Sequence, residues 1–291
     1  MNKLVLGTAQ FGMDYGINNK RGKIPRAEVF EILESALKSG IDTIDTASSY
    51  GDSEEVIGEF IRSNRSTFKI ISKLPGCRHP EVGDIFESSL KKLGVPKIYG
   101  YLIHSFPSYK NDEKVWGELE DLQSAGKVKK IGFSLYSPDE LEYLIGKKLK
   151  IDIVQVPFSV FDQRFERYLP GLKKMGVEIH ARSIFLQGLV FKKPDNLDGY
   201  FKKIRDKIEC LNRLTGELGI PIVSLCTGFV MANGCIDKAV VGVDSLQNFI
   251  EIEKSTKDFI GEKTVEALSG LRMEDEDIVL PFNWKLSKVK N

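Results

Sequence analysis

Short apolar runs alternate along this chain with longer stretches in which apolar residues recur every three or four positions. Leu4-Val5-Leu6 opens the series as a strand over Lys3 to Ala9, ended by Gly7-Thr8. Val29, Ile32, Leu33, Ala36 and Leu37 then repeat at helical spacing, with Pro25 in the first turn and Lys38-Ser39-Gly40 as the stop. The alternation continues without a break. Further strands are predicted near 41–46, 68–74, 99–105, 130–135, 151–156, 177–182 and 239–243. Helices are predicted near 53–61, 81–93, 115–124, from 137 onward, 197–218 and 223–232. Ser53 and Ser245 read as helix caps, and Pro138 as a first helical residue. Lys263 to Leu268 suggests a last helix, and Glu274 to Asn291 an extended tail.

Eight apolar strands separated by helices are what a closed parallel barrel requires, because each parallel strand needs a crossover that covers the sheet. A doubly wound sheet would also alternate. The count of eight, and the lack of a GxGxxG spacing after any strand, favour a (β/α)8 TIM barrel in one domain over residues 1–291.

In such a barrel the polar residues just past the C-terminal strand ends are the site candidates. They are Asp45 and Tyr50 after the second strand, Lys73 at the third and His104 at the fourth. Singly, each has a plain reading: a tyrosine in a surface turn, a lysine at an exposed strand end, a hydrogen-bonded core histidine. Together their chemistry is complementary. A carboxylate buried at Asp45 needs a cation, which Lys73 provides. An ammonium beside the phenol would lower the pKa of Tyr50 and make it a proton donor near neutrality. His104 can donate to a carbonyl oxygen.

Composition narrows the partners. The 42 basic and 41 acidic residues give no field that would draw nucleic acid or a membrane surface. No apolar run approaches the roughly 20 residues of a membrane span, and the first run is too short for a signal peptide, so a cytoplasmic protein is expected. Cys77, Cys210, Cys226 and Cys235 form no CxxC pair, and His79, His104 and His180 are the only histidines, so no catalytic metal is expected.

Asp45-Thr46-Ala47-Ser48-Ser49-Tyr50-Gly51, Ile71-Ser72-Lys73-Leu74 and Leu102-Ile103-His104-Ser105, in that order and spacing, resemble the aldo-keto reductase family across nearly the whole chain. The resemblance implies reduction of an aldehyde or ketone by NADP(H) or NAD(H), with Tyr50 as proton donor. It extends to the opening Gly7-Thr8 loop, to Ser134, and to Gln155, which takes the place of the glutamine that binds the nicotinamide carboxamide. Leu135 stands where the family usually has an asparagine, and Arg182 where an aromatic residue stacks on the nicotinamide; a planar guanidinium can also stack. The segment with Gly242, Asp244 and Ser245 resembles the one that receives the adenosine phosphates, with Gln247 and Glu251 as adenine contacts. Members that prefer NADPH commonly place lysine or arginine there. Asp244 would instead repel a 2′-phosphate, which keeps NADH in contention.

Two other functions stay open: a nicotinamide-binding regulatory protein on the same fold, and a barrel lyase using Lys73 as a Schiff-base nucleophile. The small-molecule carbonyl substrate is not identified by the sequence, nor is the oligomeric state. Phe11, Tyr15, Tyr136, Phe158 and Pro281-Phe282-Asn283-Trp284 are candidate pocket walls, and Arg164 or Arg182 a candidate contact for an anionic substrate.

Overall fold

Each apolar run becomes a parallel strand: β1 Leu4–Gly7, β2 Thr43–Asp45, β3 Lys69–Leu74, β4 Ile98–Ile103, β5 Val128–Ser134, β6 Ile153–Pro157, β7 Glu178–Arg182 and β8 Lys238–Gly242. The structure is a computed structural model that describes residues 2–197 and 199–284. The strands pair in chain order and β8 returns to β1, closing a barrel. Gly7 is level with Asp45 on one side and Gly242 on the other, which brings the ends of β1, β2 and β8 to one rim.

The helices bury one stripe each against the outside of the barrel. Arg26–Lys38 buries Val29, Ile32, Leu33 and Ala36, and each of the three larger side chains stabilises the fold by about 1.5–3 kcal/mol on burial. Helix Val82–Leu93 stops at Gly94, whose φ of +67° suits a residue without Cβ and whose N–H returns to Leu90 O. Ser137 and Glu140 form the capping box of Pro138–Gly146. Inside the barrel, Ile71, Leu102 and Ile153 make a small separate apolar cluster. Below it, Tyr99, Lys130 and His180 all contact the Glu178 carboxylate at 2.6–2.7 Å. Burial works against ionisation of Glu178, but the hydrogen bonds from His180, Lys130 and Tyr99 outweigh it and hold the carboxyl well below its ordinary range.

Several expectations are corrected. Pro25 precedes its helix rather than entering it. Ser53 is not a cap: Asp52 takes that position, and Ser53 is the first helical residue of Ser53–Asn64, fully buried. Its hydroxyl turns inward because a better acceptor lies there, as described below. The stretch predicted as helix from 197 begins as a short 3₁₀ turn, Phe201–Ile204, and becomes α-helical only at Arg205–Leu218. The tail is helical rather than extended, with turns Glu276–Val279 and Pro281–Asn283; apolar Ile278, Val279 and Leu280 are buried and pull it onto the barrel. Its remainder, 285–291, lies outside the described residues. Among those described, no single helix is long and apolar enough to cross a membrane.

Candidate functional site

The C-terminal rim is built on a chain of hydroxyls. Thr46 Oγ1 lies 3.1 Å from Ser53 Oγ, Ser53 donates to Thr8 Oγ1 at 2.9 Å, and Thr8 donates to the Asp45 carbonyl at 2.9 Å. These buried groups tie β1, β2 and the helix after β2 together. The loop carrying Tyr50 then lies directly on the loop after β1. A Cβ on Gly12 would come within 1.8 Å of Tyr50 O, and one on Gly51, at φ +56°, within 2.2 Å of Gly12 O. Both glycines are required by this backbone contact.

Asp45 and Lys73 form an ion pair of 2.6 Å with side chains 4 % and 1 % exposed. The other carboxylate oxygen accepts from Gln155 Nε2 at 2.7 Å. Lys73 directs its ammonium to Asp45, to Thr46 O at 2.8 Å and to Tyr50 Oη at 3.4 Å, so its three protons all have acceptors. The expected lowering of the Tyr50 pKa does not follow. Burial raises it, the Asp45 carboxylate adds to the rise, and Arg182 only partly opposes them. Burial is the main reason; beside it, Asp45 pairs with the ammonium at 2.6 Å and so offsets much of its pull on the phenol. Tyr50 is thereby held as a neutral hydrogen-bond donor.

His104 meets the Tyr50 ring edge-on, with centroids 5.8 Å apart. Burial first, then Lys73 and Arg182, push its pKa down to about 3. Ser49 Oγ lies 3.3 Å from Nδ1, and a serine proton given to that nitrogen leaves N–H on Nε2. A proton NMR titration should therefore find the His104 ring neutral throughout pH 5–8. Because the folded value lies below the unfolded 6.5, the unfolded chain binds more protons between the two, and this group's contribution to stability is lost as pH falls from 6.5 towards 3. A His104 resonance titrating near pH 6.5 would contradict this environment.

A cavity of about 230 Å³ runs from Tyr50, His104 and Arg182 to Gly242, Asp244 and Asn248. Of the residues anticipated from sequence, Asp45, Gly7, Thr8, Ser134 and Gln155 also form its walls. Lys73 stands behind Asp45 and Tyr50. Ser245, Gln247 and Glu251 are not among the lining groups: Ser245 caps Leu246–Ser255 and donates to Asp244 Oδ1, while Gln247 donates to Glu251 at 2.9 Å on the exposed helix face. Phe11 and Phe158 are core residues at 0 % and 1 % exposure, not walls. Trp284 packs on Phe201, and Phe282 meets Tyr136 edge-on.

Sequence reasoning missed Gln10 and Asn18. Gln10 Oε1 is buried without a partner and faces Gly242, where a Cβ would stand 3.1 Å from it. Asn18 donates to Gly188 O, and Gln187 donates to Tyr15 Oη at 3.0 Å, joining the loop after β1 to the loop after β7 across the cavity. The second loop holds Ser183, Leu186 and Gln187 at positive φ. The only signal in the sequence was the density of turn residues in 10–19. Burial pushes the Tyr15 phenol up to about 12.

The two candidate arginines differ sharply. Arg164 is closed off by Asp162 at 2.9 Å and Glu276 at 2.8 Å. Arg182 donates to Leu135 O at 2.6 Å and Ser183 Oγ at 3.2 Å, and stacks 4.0 Å over the Tyr136 ring.

The profile of the "Aldo/keto reductase family" matches residues 3–261. The Bacillus subtilis protein "Uncharacterized oxidoreductase YqkF" is 23% identical over 303 residues, covering 94% of this chain and 98% of its own. The crystal structure of the thermostable aldo-keto reductase Tm1743, determined with the inhibitor epalrestat, superposes with a TM-score of 0.73 at 24% identity over 93% of this chain and 95% of that one. The holo form of aldo-keto reductase AKR11C1 from Bacillus halodurans gives 0.74 at 18% identity over 92% and 91%. At these identities the two structures speak for the fold.

Proposed function

Since the chain belongs to the aldo/keto reductase family and is an oxidoreductase, we propose that it reduces an aldehyde or ketone with NADH or NADPH, Tyr50 donating the proton. The observation that carries this reading is the Tyr50 hydroxyl at the cavity end, backed by Lys73 Nζ at 3.4 Å and flanked by a neutral His104. A carbonyl oxygen placed there meets two neutral donors, the phenol and the imidazole N–H. As it gains negative charge, the phenol proton passes to it, and Lys73 stabilises the phenolate left behind. The Asp45 pair fixes the ammonium in place rather than supplying free charge.

The cavity fits a dinucleotide at its other end. The unpartnered Gln10 Oε1 and the backbone cradle at Gly7 and Gly242 offer an acceptor and room. Ser134 and Gln155 would hold the carboxamide and Arg182 would flank the ring; the nicotinamide, when bound, supplies the hydride. Gln155 has its amide nitrogen on Asp45, so its oxygen is the group offered to the carboxamide. Asp244 in the wall disfavours a 2′-phosphate, while Arg21, which donates to Asp244 O at 3.2 Å, already pairs with Glu28. A lyase using Lys73 as nucleophile is disfavoured, since its ammonium is buried and triply hydrogen-bonded.

Titration of the purified protein with each nucleotide, followed by nucleotide fluorescence, tests the reading. NADH is expected to bind at least as tightly as NADPH, and aldehydes to be turned over with the bound form. Binding of neither nucleotide would overturn the proposal.

A further inference from the structure

We infer that Arg182 selects the redox form of the nucleotide, its positive charge weakening the hold on the oxidised form relative to the reduced one; this rests on the reductase reading above. Charge accounting in the chamber leads to it. Asp45, Arg182 and Asp244 are the lining residues that carry a full charge. Asp45 is cancelled by Lys73 at 2.6 Å, and His104 and Tyr50 are neutral. Asp244 acts on the exposed Arg21. Arg182 is left as a net cation on the cavity wall, and among the described residues no carboxylate pairs with it.

The contrast with Arg164 shows that this is a particular choice. The fold can bury an arginine with its counter-charges, and does so there with Asp162 and Glu276. At Arg182 it supplies the Leu135 carbonyl, the Ser183 hydroxyl and the Tyr136 ring face instead. These hold the guanidinium in position without neutralising it. A partly desolvated charge left in that state is costly to a fold. It is also felt at the reacting end, where it helps push His104 down and opposes the rise at Tyr50.

Hydride has to reach the carbon whose oxygen takes the Tyr50 proton, so the nicotinamide belongs at the end of the cavity that Tyr50 and Arg182 share. Reduced and oxidised nucleotide differ there and nowhere else: the ring is neutral when reduced and carries one positive charge when oxidised. Contacts to ribose, diphosphate and adenine are common to both forms and drop out of the ratio of their affinities. At an effective dielectric of about 20, two unit charges about 10 Å apart still shift an equilibrium by roughly tenfold or more. Arg182 needs no free donor for this, since the repulsion acts through space. Tyr50 keeps its proton when nucleotide alone is bound, so no phenolate offsets the repulsion in that state. Arg182 thereby speeds the loss of oxidised nucleotide after turnover and keeps an excess of it from filling the chamber.

The test is a set of dissociation constants, those of NADH and NADPH from nucleotide fluorescence and those of NAD⁺ and NADP⁺ from displacement of the reduced form. In each pair that binds, the wild-type protein should hold the oxidised member at least about tenfold more weakly than the reduced one. The ratio should be alike in both pairs, because the 2′-phosphate is common to oxidised and reduced forms. Arg182→Gln should lower the ratio by about tenfold, chiefly by tightening the oxidised form, and Arg182→Lys should keep most of it. Such a change moves the potential of the bound couple by about 30 mV. A merely structural role for Arg182 weakens both forms together and leaves the ratio unchanged; that result overturns the inference while the reductase reading stands. Should Arg182→Gln not fold, the wild-type ratio decides: a tenfold preference for the reduced form supports the inference, and equal affinities overturn it. Binding of no nucleotide overturns it together with the reductase reading.

Discussion

Tyr50→Phe is expected to lower kcat for carbonyl reduction by about 10²- to 10⁴-fold, the range contributed by a positioned general acid. Nucleotide affinity should hardly change. The substitution removes one oxygen: the ring keeps its edge contact with His104, and Lys73 keeps Asp45 and Thr46 O as acceptors. The loss therefore falls on the proton and not on the architecture. Stopped-flow measurement of nucleotide oxidation beside equilibrium nucleotide titration separates the two. Turnover within a few-fold of wild type would remove Tyr50 from the mechanism, and unfolding of the variant would remove the claim that its hydroxyl is dispensable for the fold.

Asp45→Ala should cost about 3–5 kcal/mol of stability, because it leaves the Lys73 ammonium buried without its counter-ion. Lys73 is 1 % exposed, so water cannot take over from the carboxylate, and Gln155 Nε2 loses its acceptor as well. For a domain of this size the melting temperature should fall by roughly 5–8 °C. The informative comparison is the double variant Asp45→Ala, Lys73→Met. Removing both charges should recover a good part of the loss while leaving the protein without reductase activity. Chemical denaturation of the three variants measures it. A single variant within about 1 kcal/mol of wild type, as is usual for exposed pairs, would mean the pair is far more hydrated than its geometry implies.

The barrel was legible because a parallel strand covered on both faces must be apolar almost throughout, and eight such runs stand out between helices of ordinary period. The Asp45 and Lys73 pair was legible from charge complementarity at adjacent strand ends. What the sequence hid was how charges are shared. Gln155 is 110 positions from Asp45, and nothing local signals that its amide lies on that carboxylate. The sign of the Tyr50 shift depended first on its burial, which residue spacing does not show, and then on Lys73 being half of a pair. Ser53 has a cap residue's chemistry, but depth of burial gave its proton to Thr8 instead. Arg164 and Arg182 look alike in sequence. Only their surroundings, one closed by acids and one open to the cavity, tell them apart.

Gln155 gives the site a form of bookkeeping of its own, because one amide belongs both to the Asp45 cluster and to the cavity wall. By thermodynamic linkage, whatever factor a bound molecule adds to the hold of Gln155 on Asp45, an intact Asp45 contact returns to the affinity for that molecule. Occupancy of the chamber and rigidity of the Asp45, Lys73 and Tyr50 cluster are thus two readings of a single coupling free energy, with Gln155 as the hinge between them.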